Sequence, residues 1–176
     1  MSIEVEAHHL ESNDSLGKII GTQTAILAVL LSIFTIFSHQ AHTETIVLGN
    51  EASNQWAHYQ AKRIRDYQLE MNIKLLQLTA PNTQETTNTL AEYSEQSVVY
   101  KKELAQIKTE ADQKVQEGGL AHRKAGYFDL AEGFLEIAMI LSSLYFLSRK
   151  KFFPMLGLLL GIAGTVIGVL GLLLHH

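Results

Sequence analysis

The 176 residues include no cysteine, which excludes disulfides, thiolate catalysis and thiolate metal sites and is compatible with either side of a membrane. Clustered positive charge is missing too. The net charge is −4 and the basic residues are dispersed, so the electrostatic footprint of a nucleic-acid partner is absent and none is expected. There is no nucleophile elbow, no phosphate-binding glycine loop and no His-Glu-x-x-His pair, so no enzyme is predicted. Only two prolines occur, Pro81 and Pro154; each suits an element boundary, since proline cannot donate a backbone hydrogen bond. Charge of either sign is missing from Ile19 to Ser38 and again from Phe152 to Leu174.

What is present is strongly segregated. The chain is 47% hydrophobic and 18% charged, an average fitting neither an ordinary soluble domain nor a wholly embedded one. Residues 40–125 hold 10 of the 14 basic and 11 of the 18 acidic residues, so membrane ends flank a water-soluble middle. Residues 1–16 carry four acids and no base and read as a solvated acidic tail. The run over 17–38 is about 20 residues long, follows an acidic lead-in and lacks a small-residue cleavage pattern, so it reads as a retained first transmembrane helix. Gly17, Gly21, Ala25, Ala28 and Ser32 recur along it at three- or four-residue steps. Either they form a face for close helix packing, or they reflect the general abundance of small residues in membrane helices.

The second span, 126–148, organises the chain because it looks like a membrane helix yet carries Asp129, Glu132 and Glu136. At 100° per residue the three acids share one narrow arc. A span of about 20 residues ending at Ser148 places Glu136 roughly 10 Å inside the hydrocarbon edge. An ionised group at mid-bilayer costs on the order of 2.5–3.5 kcal/mol, so the acids should face protein or water. A basic loop over 149–153 leads to the third span, 154–174, where Gly157, Gly161, Gly164, Gly168 and Gly171 alternate steps of four and three. This glycine seam is the strongest oligomerisation signal in the chain, although the first or second helix of the same subunit would serve as partner equally well.

Between the first two spans, residues 39–125 read as an extramembrane helical hairpin. Trp56, Tyr59, Ile64, Tyr67, Met71, Leu75 and Leu78 recur mostly at three- or four-residue steps, an amphipathic helix. Pro81 and a polar run mark a turn near 79–88. Leu90, Tyr93, Ser97, Tyr100, Leu104, Ile107 and Ala111 then form a heptad seam of the coiled-coil kind. Gly49 is a weak point of the first leg, and Gly118 with Gly119 hinges the second. Such a seam serves the contact between two legs, between subunits, or with a protein partner.

Both feet of a hairpin lie on one membrane face. His39, His42 and Glu44 at one foot therefore stand at a depth similar to His122, Arg123, Lys124 and Asp129 at the other. Imidazoles and carboxylates suit a divalent cation or a proton path. They equally suit plain ion pairing of Arg123 and Lys124 with Asp129 and Glu44, and the spacing carries no zinc signature. Whether a metal or any other cofactor binds is left open.

The first foot also carries a resemblance. His39, Ala41, His42, Thr43, Glu44, then Glu51, Ala52, Asn54, Gln55, Trp56, Tyr59, Gln60, Ala61, Lys62, Ile64 and Arg65 resemble the signature of a bacterial membrane-protein family catalogued only as a domain of unknown function. Gly126, Tyr127, Asp129, Leu130, Glu132, Glu136, Ile137 and Arg149 to Phe153 are similar to its downstream block. The resemblance implies an integral membrane protein with a helical insertion and supplies no activity.

The expectation is thus an all-α membrane protein: three transmembrane helices in a lipid bilayer, with a long antiparallel hairpin between the first and second. Lys18 before the first span and the tight cluster Arg149, Lys150 and Lys151 favour a cytoplasmic N-terminus and a periplasmic hairpin at a bacterial inner membrane. The expected role is a homo-oligomeric scaffold or interaction module. The alternative is an oligomeric proton or metal-cation path along Asp129, Glu132 and Glu136.

Overall fold

The computed structural model describes residues 15–174. These form three α-helices with no strand among the described residues: α1 (Ser15–Thr79), α2 (Gln84–Ser148) and α3 (Phe152–Leu173). The expected acidic tail lies outside the described residues except at its last two positions, where α1 has already begun. All three helices are long and apolar enough to cross a membrane by length and composition.

The first two helices are each 65 residues long, which corrects the expected hinge at Gly118 and Gly119. No break separates the 17–38 stretch from the leg beyond it, and helix continues through Gly49, Gly118, Gly119 and Gly126. A glycine in a helix interior costs only about 0.5–1 kcal/mol, less than breaking a seam that continues on both sides of it. Gly118 is itself a seam residue: a Cβ there would sit at ordinary contact distance, 3.5 Å, from Leu48 Cβ.

The expected turn near 79–88 shrinks to residues 80–83. Pro81 ends α1 because it disfavours helical geometry at Ala80. Thr83 starts α2 as an N-cap, its hydroxyl accepting from the Thr86 N–H at 3.2 Å. At the other end of α2, Arg149 adopts a left-handed φ of 55°, and its N–H donates to the Tyr145 carbonyl at 2.8 Å, closing the last turn. Pro154 falls in the first turn of α3, where an absent N–H costs nothing.

The described residues form two compact units: one up to Thr43 and from Leu120 on, the other Glu44–Gly119. In the first, α1 and α2 share a core of Leu27, Phe34, Ala41, Ala125, Phe128, Ala131, Leu135 and Ala138, against which Leu160 and Ile167 of α3 pack. The Phe128 ring stacks on Phe34 at 6.4 Å and on Phe37 at 5.7 Å.

Both long helices bury one seam with a seven-residue repeat. On α1 it runs through Ile20, Thr24, Leu27, Leu31, Phe34, Ser38 and Ala41 in the first unit, and through Leu48, Ala52, Tyr59, Lys62, Asp66, Leu69, Ile73 and Leu76 in the second, none of them exposed. On α2 it runs through Tyr93, Ser97, Tyr100, Leu104, Ile107, Ala111 and Lys114, then Ala121, Ala125, Phe128, Glu132, Leu135, Met139 and Ser142. A 3.5-residue period keeps one stripe of a helix against its neighbour over many turns.

Candidate functional site

In the first unit the seam places polar side chains of α1 at three- and four-residue steps opposite acids of α2. Ser38 Oγ donates to Asp129 Oδ1 at 2.6 Å. His42 Nε2–H points between both Asp129 oxygens, 3.1 Å from each. One turn further along, Thr35 Oγ1 donates to Glu132 Oε1 at 2.8 Å. The His42 and Asp129 side chains are both 48% exposed, so their pairing is open to screening by salt.

The other candidates do not join this cluster. Glu136 is exposed and makes no hydrogen bond to any described residue, and His39 is exposed, with its backbone carbonyl accepting from Thr43. His122 is exposed two turns before Asp129, and Glu44 opens the second unit. The partner of Asp129 is His42 rather than Arg123 or Lys124. Among the described residues, no three His, Asp or Glu side chains are grouped to hold a metal ion.

A second polar contact joins all three helices and was not singled out in the sequence. Gln23 Nε2 of α1 donates to Ser142 Oγ of α2 at 3.0 Å and to the Pro154 carbonyl of α3 at 3.2 Å. Ser142 is fully buried and its hydroxyl donates to the Ala138 carbonyl at 2.8 Å. The available signal was an amide in an otherwise uncharged run: away from water, such a group needs a partner.

The five α3 glycines are all buried, and all face α1 or α2 of the same chain. A Cβ at Gly157 would lie 2.5 Å from Ser142 Oγ and 2.6 Å from the Ala138 carbonyl oxygen. At Gly161 and Gly168 it would strike Leu27 and Phe34 of α1, and at Gly164 and Gly171 it would meet Phe134 and Tyr127 of α2. The seam is therefore occupied within the chain. On the small face of α1, Gly21 has nothing within 4 Å of a Cβ.

In the second unit, polar pairs tie α1 to α2 with numbers rising on one helix as they fall on the other. Lys114 meets Glu51 at 3.1 Å, Lys62 pairs with Glu103, and Lys101 meets Glu70 at 2.8 Å. Ser97 Oγ donates to the buried Asp66 carboxylate at 3.0 Å. The hydrogen bond from Lys101, then its charge, holds the Glu70 carboxyl below its ordinary range. The Lys101 ammonium is raised in return, and Glu51 with Glu117 raises that of Lys114.

Tyr93, Tyr100 and Leu104 lie on the seam as expected from the heptad. Trp56 and Tyr59 are half-buried with rings 5.5 Å apart, edge to face. Tyr67 is a correction, since it faces outward with Ile64, Met71, Leu75 and Leu78, each 52–84% exposed. The inward line here is Lys62, Asp66, Leu69, Ile73 and Leu76. The inward line carries the Lys62 to Glu103 pair and the Asp66 to Ser97 bond, and the outward stripe lies on the far side of the helix. Arg63 bridges Tyr59 and Tyr67 at the surface, donating to their hydroxyls at 2.9 and 2.8 Å.

No curated protein and no solved structure shows significant similarity to the chain. A family model does match residues 16–174, a range that includes the Asp129 cluster, the glycine seam and the paired helices of the second unit. The chain belongs to the family described as domain of unknown function DUF4337.

Proposed function

We propose that the chain is an integral protein of a bacterial inner membrane, anchored by three spans, whose extramembrane helical hairpin acts as a self-assembling scaffold or interaction module. The observation that carries this reading is the outward stripe of Ile64, Tyr67, Met71, Leu75 and Leu78. It is apolar, contiguous at helical spacing and lies in the charged half of the chain, the combination that marks a protein-binding surface. A second copy is the partner that suits it. The seam of one helix pair includes Lys62, Asp66 and Ser97 and buries few large aliphatics, whereas two pairs packed through the stripe bury an apolar layer as four-helix bundles do.

The cysteine-free chain makes the test direct. Met71→Cys and Leu75→Cys variants, oxidised in native membranes, are expected to give disulfide-linked dimers, and Met71→Glu with Leu75→Glu is expected to dissolve the oligomer. Absence of cross-linking at both positions would remove the self-assembly reading.

The second reading, an oligomeric proton or cation path, is favoured by one observation: Asp129, Glu132 and Glu136 follow one another up α2, with His42 hydrogen-bonded to the first. Proton or cation flux into liposomes that is lost in the Glu132→Gln, Glu136→Gln double variant would favour this path over the scaffold. No flux from a folded, oligomeric protein would exclude it.

A further inference from the structure

The first unit contains a groove of about 710 Å³ between the N-terminal part of α1 and α3, within the volume range of small-molecule sites, roughly 300–1,000 Å³. Gly161 and Thr165 line it together with the apolar side chains of Ile26, Leu30, Ile162 and Val166. Its ends differ. Lys18 lines one end and is the only charged residue of the lining among the described residues, while the other, at Leu30 and Val166, is apolar. The two threonine hydroxyls of the lining are spent on their own helices, Thr22 on the Lys18 carbonyl at 3.0 Å and Thr165 on the Gly161 carbonyl at 2.8 Å. Gln23 is committed to Ser142 and Pro154. The Lys18 ammonium is exposed and has no acidic partner among the described residues.

The bond from Gln23 to the Pro154 carbonyl also sets the basic connection between α2 and α3, with Arg149, Lys150 and Lys151, at the Lys18 end of the unit. From Lys18 to Leu30 the groove follows α1 for about 18 Å at 1.5 Å per residue, close to the roughly 15 Å of one leaflet of a hydrocarbon core.

From this polarity we infer that the groove binds an anionic phospholipid, one acyl chain lying over Gly161 and Thr165 and the phosphate meeting Lys18. The inference rests on the reading of α1 and α3 as membrane spans. An extended peptide segment fits poorly, because its backbone N–H and C=O groups would find no partners along apolar walls. A second copy of this face would bring a second Lys18 and, among the described residues of the lining, no acid. A phospholipid supplies both the chain and the anion, and basic groups at a membrane surface favour anionic headgroups.

The test compares phosphatidylglycerol with phosphatidylcholine of identical acyl chains, added to the full-length protein in neutral detergent, with bound lipid counted by native mass spectrometry. Phosphatidylglycerol is expected to bind roughly fivefold more tightly, the contribution of one lysine near an anionic headgroup. Lys18→Gln should erase that preference and leave the fold intact, since the side chain is exposed. Ile162→Trp, which fills the groove, should weaken both lipids. Equal binding of the two lipids by the native chain, a preference that survives Lys18→Gln, or competition by inorganic phosphate at equal concentration would overturn the inference. Alkaline carbonate extraction separates the premises: release of the native chain from membranes sinks the membrane reading, whereas a retained chain without lipid preference sinks only the groove.

Discussion

Replacing Gly157 by alanine tests the packing of α3 with little ambiguity. The added methyl would lie 2.6 Å from the Ala138 carbonyl oxygen and 3.2 Å from the Ser142 backbone nitrogen, atoms that no rotamer change can move. It would also press on Ser142 Oγ at 2.5 Å, the hydroxyl that accepts from Gln23. Either α3 retreats from α2 or the polar contact joining three helices opens, an overpacking cost of about 1–3 kcal/mol. Alanine is intrinsically better than glycine in a helix by about 0.8–1.0 kcal/mol, which offsets part of this. Gly21→Ala supplies the control, because that glycine is also inside an apolar helix but has nothing within 4 Å of a Cβ. The intrinsic gain is common to both variants, so the difference between them isolates the packing cost at about 1–3 kcal/mol. Unfolding by SDS titration in mixed micelles, followed by circular dichroism, gives the comparison. If Gly157→Ala proves as stable as Gly21→Ala, α3 does not contact α2 as described.

Gly119 has nothing within 4 Å of a Cβ and sits inside α2, so Gly119→Ala should raise helix stability by about 0.8–1.0 kcal/mol; a loss, read by thermal circular dichroism, would restore the hinge that the helix lacks. Asp66→Ala leaves the Ser97 hydroxyl without its buried acceptor and should cost about 1–3 kcal/mol, measured in the same melt, with Ser97→Ala in the Asp66→Ala background adding little. The pH dependence has a worked sign. The Glu70 contribution is complete above its ordinary value of 4.5 and is lost as pH falls through the lowered one. Those of Lys101 and Lys114 are complete below 10.5 and lost as pH rises through the raised values. Melting temperature should therefore fall on both sides of a neutral plateau, and Glu70→Gln should make the acid limb shallower; an unchanged acid limb would refute the pairing.

The helical class, the apolar stretches, the turn at Pro81 and the heptad from Leu90 to Ala111 were legible because each is local: composition, a missing N–H and a short-range period are properties of neighbouring residues. The first leg is different at Tyr67 for an equally physical reason. Ile64, Tyr67, Met71, Leu75 and Leu78 form a better apolar stripe than Lys62, Asp66, Leu69 and Ile73, so hydrophobicity alone does not find the face that meets α2. The register of the inward seam is fixed instead by ion pairs and the Asp66 to Ser97 bond, contacts between residues about 30 to 60 positions apart.

The acid arc of α2 was likewise visible as an arc, but its division was not. Asp129 meets Ser38 and His42, Glu132 meets Thr35, and Glu136 meets none of the described residues, because α1 faces only part of that arc. By itself, then, the sequence determined that the chain is helical, where charge is withheld, and that α3 carries a glycine face. Only the tertiary structure decided what the glycine face touches, since close approach depends on which side chains another helix presents: Leu27 and Phe34 stand over glycines of their own chain. The same holds for the groove beside Lys18, which neither helix forms alone.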